Sequence, residues 1–340
     1  MKNSPNLSSP KPASCLPFLA ALIIAIPGSA QDRTSDEQPH RKFIAADSSA
    51  GRIAIIDEDN QIVWEHKIGP LHDVHVLDNG HVLMQLDWTH VVEIDPASDK
   101  IVWEYDSGKG GNEGKPVEVH AFQRLADGNT LIAESGPARI IEVGPDGKIV
   151  ATVGLQVANP HPHRDTRLVR KLDSGNYLVC HEGDGMVREY ASDGGVVWEF
   201  AIPMFGREPA DGHGPESFGN KCFSAIRLEN GNTLIGTGNG HSIVEVTPEK
   251  EIVWKLEPDD LPGIELAWIT SIQQLPGGNI LIGNCHAGPG NPQLIEISRD
   301  KNVVWQFRDF ERFGDSLTNS QMLSVDGESI SAIPGRDRNP

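Results

Sequence analysis

Apolar residues in this chain come in short runs that alternate with turn residues, and the runs repeat. One phrase joins two β-branched residues, a tryptophan and a polar residue: Ile62-Val63-Trp64-Glu65, Ile101-Val102-Trp103-Glu104, Val196-Val197-Trp198-Glu199, Ile252-Val253-Trp254-Lys255 and Val303-Val304-Trp305-Gln306. Ile149-Val150-Ala151 is a further copy without its tryptophan. A second phrase is a leucine, a turn and a β-run, as in Leu77-Asp78-Asn79-Gly80-His81-Val82-Leu83, with counterparts beginning at Leu125, Leu172, Leu228 and Leu275. A third is an apolar strand ending in a turn, as in Ile140-Ile141-Glu142-Val143-Gly144-Pro145 and Ile243-Val244-Glu245-Val246-Thr247-Pro248. Short β-branched runs separated by Asn-Gly or Asp-Gly predict strands joined in hairpins.

Each unit therefore reads as four strands. The turn glycines Gly80, Gly128, Gly175, Gly231 and Gly278 are 47, 48 or 56 residues apart, close to the roughly 40–50 residues of one propeller blade. The repeats begin at Phe43-Ile44-Ala45-Ala46 with no Leu-turn strand before it, and they stop at Asn319-Ser320-Gln321-Met322-Leu323-Ser324-Val325-Asp326-Gly327 with no strand after it. The last segment thus supplies the strand that the first unit lacks. The expectation is an all-β fold over residues 42–332: a six-bladed β-propeller of four-stranded blades, its ring closed by the C-terminal strand joining the N-terminal blade, which leaves no long exposed edge. A length of 340 residues alone would suggest two domains; the repeat reduces them to one.

The Asp/Asn-Gly-Asn-x-Leu turn, the Ile-Glu-Val strand and the Val-Val-Trp-Glu strand together resemble the six-bladed propellers of the arylsulfotransferase-like and pyrroloquinoline-quinone-like repeat families, over nearly all of residues 43–330. The first resemblance implies sulfuryl transfer through a histidine. Its Asn-Ser pattern has its nearest match at Asn319-Ser320, which makes Asn319 a substrate-binding candidate. Enzymes of the second family that carry the quinone generally have eight blades and a vicinal disulfide. Six blades and no adjacent cysteines argue against pyrroloquinoline quinone here, and no other cofactor is expected beyond a possible divalent metal.

Residues 1–30 carry Lys2 and Lys11, then an apolar run from Cys15 to Ile26, then Pro27-Gly28-Ser29-Ala30. A basic lead, a short apolar stretch and small residues at the exit read as a secretory signal peptide, so a secreted or periplasmic product is expected. Residues 31–41 read as a disordered linker and 333–340 as a disordered tail. Without the leader, Cys180, Cys222 and Cys285 remain, and in an oxidising compartment the simplest count is one bridge and one free thiol.

Lys plus Arg number 29 against 48 Asp plus Glu, a net charge of −19, which excludes nucleic acid as a partner because phosphate backbones need clustered cations. No membrane contact is expected once the leader is cleaved, and the protein is expected to be a monomer acting on a small molecule or glycan. In a four-stranded meander the connections alternate between two faces. One face here holds only tight turns, and the other gathers the long loops Tyr105 to Val117, Leu155 to Thr166, Ile202 to Lys221, Pro258 to Ala267 and Cys285 to Gln293. Loops gathered on one rim of a rigid ring are where binding and catalysis concentrate.

His72, His120 and Arg167 each lie eight residues before a turn glycine, so they occupy the same place at the entrance of three successive inner strands. With His181 they are the catalytic candidates, because His titrates near neutrality and Arg grips oxyanions. Arg164, His163, Lys221, Trp268, Trp88 and Asn319 are the substrate-binding candidates, the tryptophans as stacking surfaces. An alternative makes His72, His120, His181 and His286 ligands of a divalent metal in a carbohydrate lyase or hydrolase. A third reading is a non-catalytic propeller binding a glycan or protein over the same rim.

Overall fold

The computed structural model describes residues 39–330. The expected signal peptide at 1–30, residues 31–38 of the expected linker and the expected tail at 333–340 lie outside the described residues; Arg41, expected at the end of the linker 31–41, is instead the first residue of a strand and buried. Within them every regular element is a strand or a single 3-10 turn, and no helix is long and apolar enough to cross a membrane.

Six antiparallel sheets follow one another along the chain. Five are four-stranded blades built from residues 74–106, 118–154, 169–201, 224–256 and 268–307, each running in sequence from its inner to its outer strand. The sixth combines both ends of the ring. Leu317–Val325 pairs antiparallel with Arg41–Asp47, with Ile44 opposite Gln321 and Ala45 opposite Ser320, and Arg52–Ile56 and Ile62–Lys67 complete the blade. A two-residue strand, Glu328–Ser329, adds to its inner edge. The predicted closure is therefore the observed one.

The hairpin between the first two strands of a blade is built the same way each time. Gly80 N donates to Leu77 O at 2.8 Å and Leu77 N to His81 O at 2.8 Å, with Gly80 at φ 83°. That backbone angle costs a residue with a Cβ, which is why glycine recurs there. In the outer strands the repeat phrase alternates as a pleated strand must: Val63, Val102, Val197 and Val253 face solvent, while the tryptophan that follows each one packs inward.

Adjacent blades are joined by an ion pair that recurs around the ring. The glutamate of the third strand meets a cation from the next blade: Glu93 with Arg124 at 2.6 Å, Glu142 with Lys171 at 2.5 Å, Glu189 with Arg227 at 2.7 Å, Glu245 with Arg299, and Glu296 with Arg41 at 2.7 Å. Arg124, Arg227 and Arg299 also lie over Trp103, Trp198 and Trp254. Where the second blade has Ala151 in place of tryptophan, Lys171 lies over Tyr177 instead. The repeat tryptophan and glutamate are thus inter-blade cement, four of the five cations serving both a carboxylate and a π face, while Arg41 pairs with Glu296 and Asp326.

The expectation of a disulfide is not met. Cys180, Cys222 and Cys285 are all free and buried. Cys180 contacts Cys222, and the Cys222 thiol is spent on the carbonyls of His181 and Met186. Burial pushes the Cys180 and Cys285 thiols well up, so they behave as small hydrophobes.

Candidate functional site

The inner strands converge on the ring axis, and the residue eight before each turn glycine stands just where they open onto the long-loop face. His72 precedes Val74–Val76 and Arg167 precedes Val169–Lys171, while His120 lies within Glu118–Arg124. In that last strand the pairing slips between Val119 and Ala121, so His120 is the extra residue of a β-bulge. A bulge turns one side chain out of the alternating pattern, which here aims His120 at its neighbour.

The two histidines meet directly. His72 Nδ1 and His120 Nδ1 are 2.7 Å apart and their rings lie 4.7 Å apart, stacked at 27°. Arg167 donates to the same His72 Nδ1 at 3.4 Å, forms a buried ion pair with Glu182 and lies 4.7 Å over the Phe223 ring. Burial above all, then the Arg167 charge, holds both imidazoles well below their usual range, so both are neutral near pH 7.

Neutrality fixes the tautomers. Arg167 is only a donor, so His72 Nδ1 must accept, and His120 must then donate from its own Nδ1. The proton of neutral His72 therefore sits on Nε2, an atom with no hydrogen-bond partner among the described residues. His72 is half-buried, so this N–H is left for a ligand.

Aromatic rings wall the space around it. Trp88 lies 5.1 Å from His72, 5.2 Å from His120 and 5.2 Å from His163. Phe223 stands edge-on to His72 at 6.0 Å and to Trp268 at 5.2 Å, and Lys221 Nζ sits 5.5 Å over Trp268. The Lys221 ammonium forms no ion pair among the described residues. His163 Nδ1 bonds Glu118 Oε2 at 2.6 Å.

Beneath the histidines, Asp73 ties four blades together. It accepts from Arg170 at 2.7 and 2.9 Å, from Asn319 at 3.1 Å, and from the backbone N–H of Phe122 at 3.1 Å and Val74 at 3.0 Å. Burial alone would raise its pKa, but Arg170 and His75 outweigh that and hold the carboxyl well below the ordinary range. Asn319 also donates to the His72 carbonyl at 2.8 Å. The Asn319 amide nitrogen, expected to bind substrate, is thus spent on the His72 carbonyl and on Asp73.

Of the predicted residues the structure brings His72, His120, Arg167, His163 and Trp88 into one cluster, with Lys221 and Trp268 continuing its wall through Phe223. His181 does not join it. Its Nδ1 donates to Asp165 O at 2.6 Å, its Nε2 accepts from Tyr190 Oη at 2.8 Å, and burial lowers its pKa to about 4, so neither nitrogen is free for chemistry. His286 lies beyond Trp268, edge-on to His213 at 5.9 Å. The expected metal set of His72, His120, His181 and His286 is therefore not assembled: both nitrogens of His181 are hydrogen-bonded elsewhere, and the His286 ring stands against His213 rather than against His72 or His120. Arg164 follows His163 in the chain, and its guanidinium forms no ion pair among the described residues.

Sequence reading missed Phe223 and Glu118. Phe223 was accessible to the same count, since it lies eight residues before Gly231, as Thr270 and Asn319 lie eight before Gly278 and Gly327. Glu118 carries no comparable signal; its role appears only when the loop bearing His163 folds back on it.

The profile of the family described as outer membrane protein assembly factor BamB matches residues 49–307. The chain belongs to this family. Its members share the PQQ-like repeat, which accounts for the phrases that build the blades. No curated protein matches the chain. Among solved structures, a protein of unknown function from Bacteroides caccae is 26% identical, with a TM-score of 0.68 over 82% of this chain and 97% of that one. A streptogramin B lyase is 13% identical with a TM-score of 0.53, covering 81% of this chain and 80% of its own. Virginiamycin B lyase from Staphylococcus aureus is 15% identical with a TM-score of 0.51, covering 81% and 85%. At such identities the two lyases share the ring with this chain and nothing finer.

Proposed function

We propose that the protein is an exported, monomeric enzyme that cleaves or transfers the anionic head of a small aryl ester, with an aryl sulfate as the first candidate. The observation that carries this reading is the His72 Nε2–H left unpartnered beside a buried arginine and a free lysine, inside a wall of aromatic rings. Lys221 supplies the uncompensated positive charge for an anionic head, and Arg167, its charge paired with Glu182, holds His72 in the donor tautomer. Trp88, Phe223 and Trp268 offer faces and edges to an aryl body.

In this reading His72 works as a neutral donor. Its Nε2–H bonds the ester oxygen as charge develops there, an oxyanion-type stabilisation that needs no net proton transfer. Nucleophilic attack by the His72 ring, which the arylsulfotransferase resemblance implies, would require a bare Nε2. The Arg167 hydrogen bond to Nδ1 opposes that tautomer. The acceptor is then water or a second substrate hydroxyl: its oxygen forms the new bond to the transferred anionic group, its proton passes to solvent, and the aryl oxygen leaves as the phenolate with the electron pair of the broken bond.

The test is turnover of 4-nitrophenyl sulfate, phosphate and acetate by the purified protein, followed by release of nitrophenolate with and without a phenolic acceptor. The expected result is turnover of an anionic ester in preference to the neutral acetate. Binding of aryl anions without turnover would move the site to a non-catalytic role, and turnover confined to polysaccharide substrates would favour a carbohydrate lyase or hydrolase.

A further inference from the structure

Glu118, His120 and His163 meet at the edge of the pocket with one ligand atom each, all within 4.8 Å of one another. Because His120 donates from Nδ1 to His72, its Nε2 is a bare lone pair. That nitrogen is fully buried and makes no hydrogen bond, and it faces Glu118 Oε2 at 3.3 Å. The Pro162 carbonyl lies near the same ring without completing a hydrogen bond at Nε2. Two acceptors aimed at each other repel unless a cation lies between them, and the cost falls on the fully buried His120 nitrogen, since the Glu118 side chain is 23% exposed. His163 Nδ1 reaches the same carboxylate oxygen at 2.6 Å.

We propose that Glu118, His120 and His163 bind one divalent transition-metal ion, Zn2+ in the first instance. Two imidazoles and a carboxylate form a donor set suited to zinc, with a further position open for water. His163 gives up its Nδ1 proton to solvent on binding. His120 keeps its Nδ1–H on His72, the outer hydrogen bond that orients a metal-bound imidazole. The nearby Arg167 charge is offset by its ion pair with Glu182. The binding site stands on this geometry alone. Its use, a metal-bound water delivered to an ester held by His72, rests on the function proposed above.

The experiment is a calorimetric titration of Zn2+ into the metal-stripped full chain at fixed neutral pH, repeated with the Glu118→Gln/His163→Ala double variant after its fold is checked by circular dichroism. One equivalent is expected for the unaltered protein, with affinity at least ~10–100-fold weaker in the variant, the scale on which perturbing a metal site acts. Should the variant fail to fold, the visible spectrum of bound Co2+ in the unaltered protein takes its place: bands of a four-coordinate nitrogen/oxygen site support the inference, and the spectrum of hexa-aqua Co2+ overturns it. No stoichiometric binding, or equal affinity in the folded variant, also overturns it. Zinc bound with no ester turnover defeats the proposed activity and leaves the metal site standing.

Discussion

His72→Ala lowers kcat for the preferred 4-nitrophenyl ester by about 10²–10³, the usual cost of removing one donor to a developing oxyanion. KM changes much less, because the donor acts most strongly on charge that appears only in the transition state, while Lys221 and the tryptophans hold the ground state. His72→Gln retains an N–H near the same place and recovers part of the loss. Lys221→Ala shows the reverse split, raising KM with little change in kcat. Steady-state kinetics on the three variants checks this, and a His72→Ala protein with unchanged kcat would remove His72 from the chemistry.

The second large effect concerns the ring itself. Arg41 and Glu296 pair where the first and last repeats meet, with side chains 3% and 1% exposed and two nitrogen–oxygen contacts of 2.7 and 3.2 Å. Arg41→Met leaves the Glu296 carboxylate buried without its partner, which destabilises by about 3–5 kcal/mol. For a domain of this size that corresponds to a fall in Tm of roughly 6–20 °C. Adding Glu296→Leu to Arg41→Met restores most of the stability, since a well-packed apolar pair can replace a buried ion pair. The same substitution at the exposed Arg52–Glu65 pair, with side chains 34% and 54% exposed, moves Tm little. A melting series over these proteins decides whether closure rests on this pair.

The fold was legible because everything that specifies it is local. A glycine at positive φ after Leu-Asp-Asn, a period-two strand and a Trp-Glu phrase each act within a few residues, and repetition multiplies the signal. The missing strand at Phe43 and the surplus one at Asn319 were enough to predict closure. Part of the site was legible for the same reason, since counting back eight residues from the turn glycine finds His72, His120 and Arg167. What sequence could not separate was one strand-end histidine from another. His181 resembles His120 in sequence, yet Tyr190 and the Asp165 carbonyl consume both its nitrogens, and only the packed blade shows this. His163 and Glu118 come together through the path of a long loop and a β-bulge, neither of which leaves a pattern in the chain. The cysteine expectation failed because parity says nothing about burial. Cys222 lies beside Cys180 but donates its thiol to backbone carbonyls.

Both the proposed chemistry and the proposed metal site depend on where two protons lie, and nitrogen-15 NMR of the imidazole rings at pH 7 reads them directly. The account predicts His72 protonated on Nε2 and His120 on Nδ1, with the His72 Nε2–H signal shifting when 4-nitrophenyl sulfate is added. A proton on His72 Nδ1, leaving Nε2 bare toward the pocket and unmoved by the ester, would contradict it.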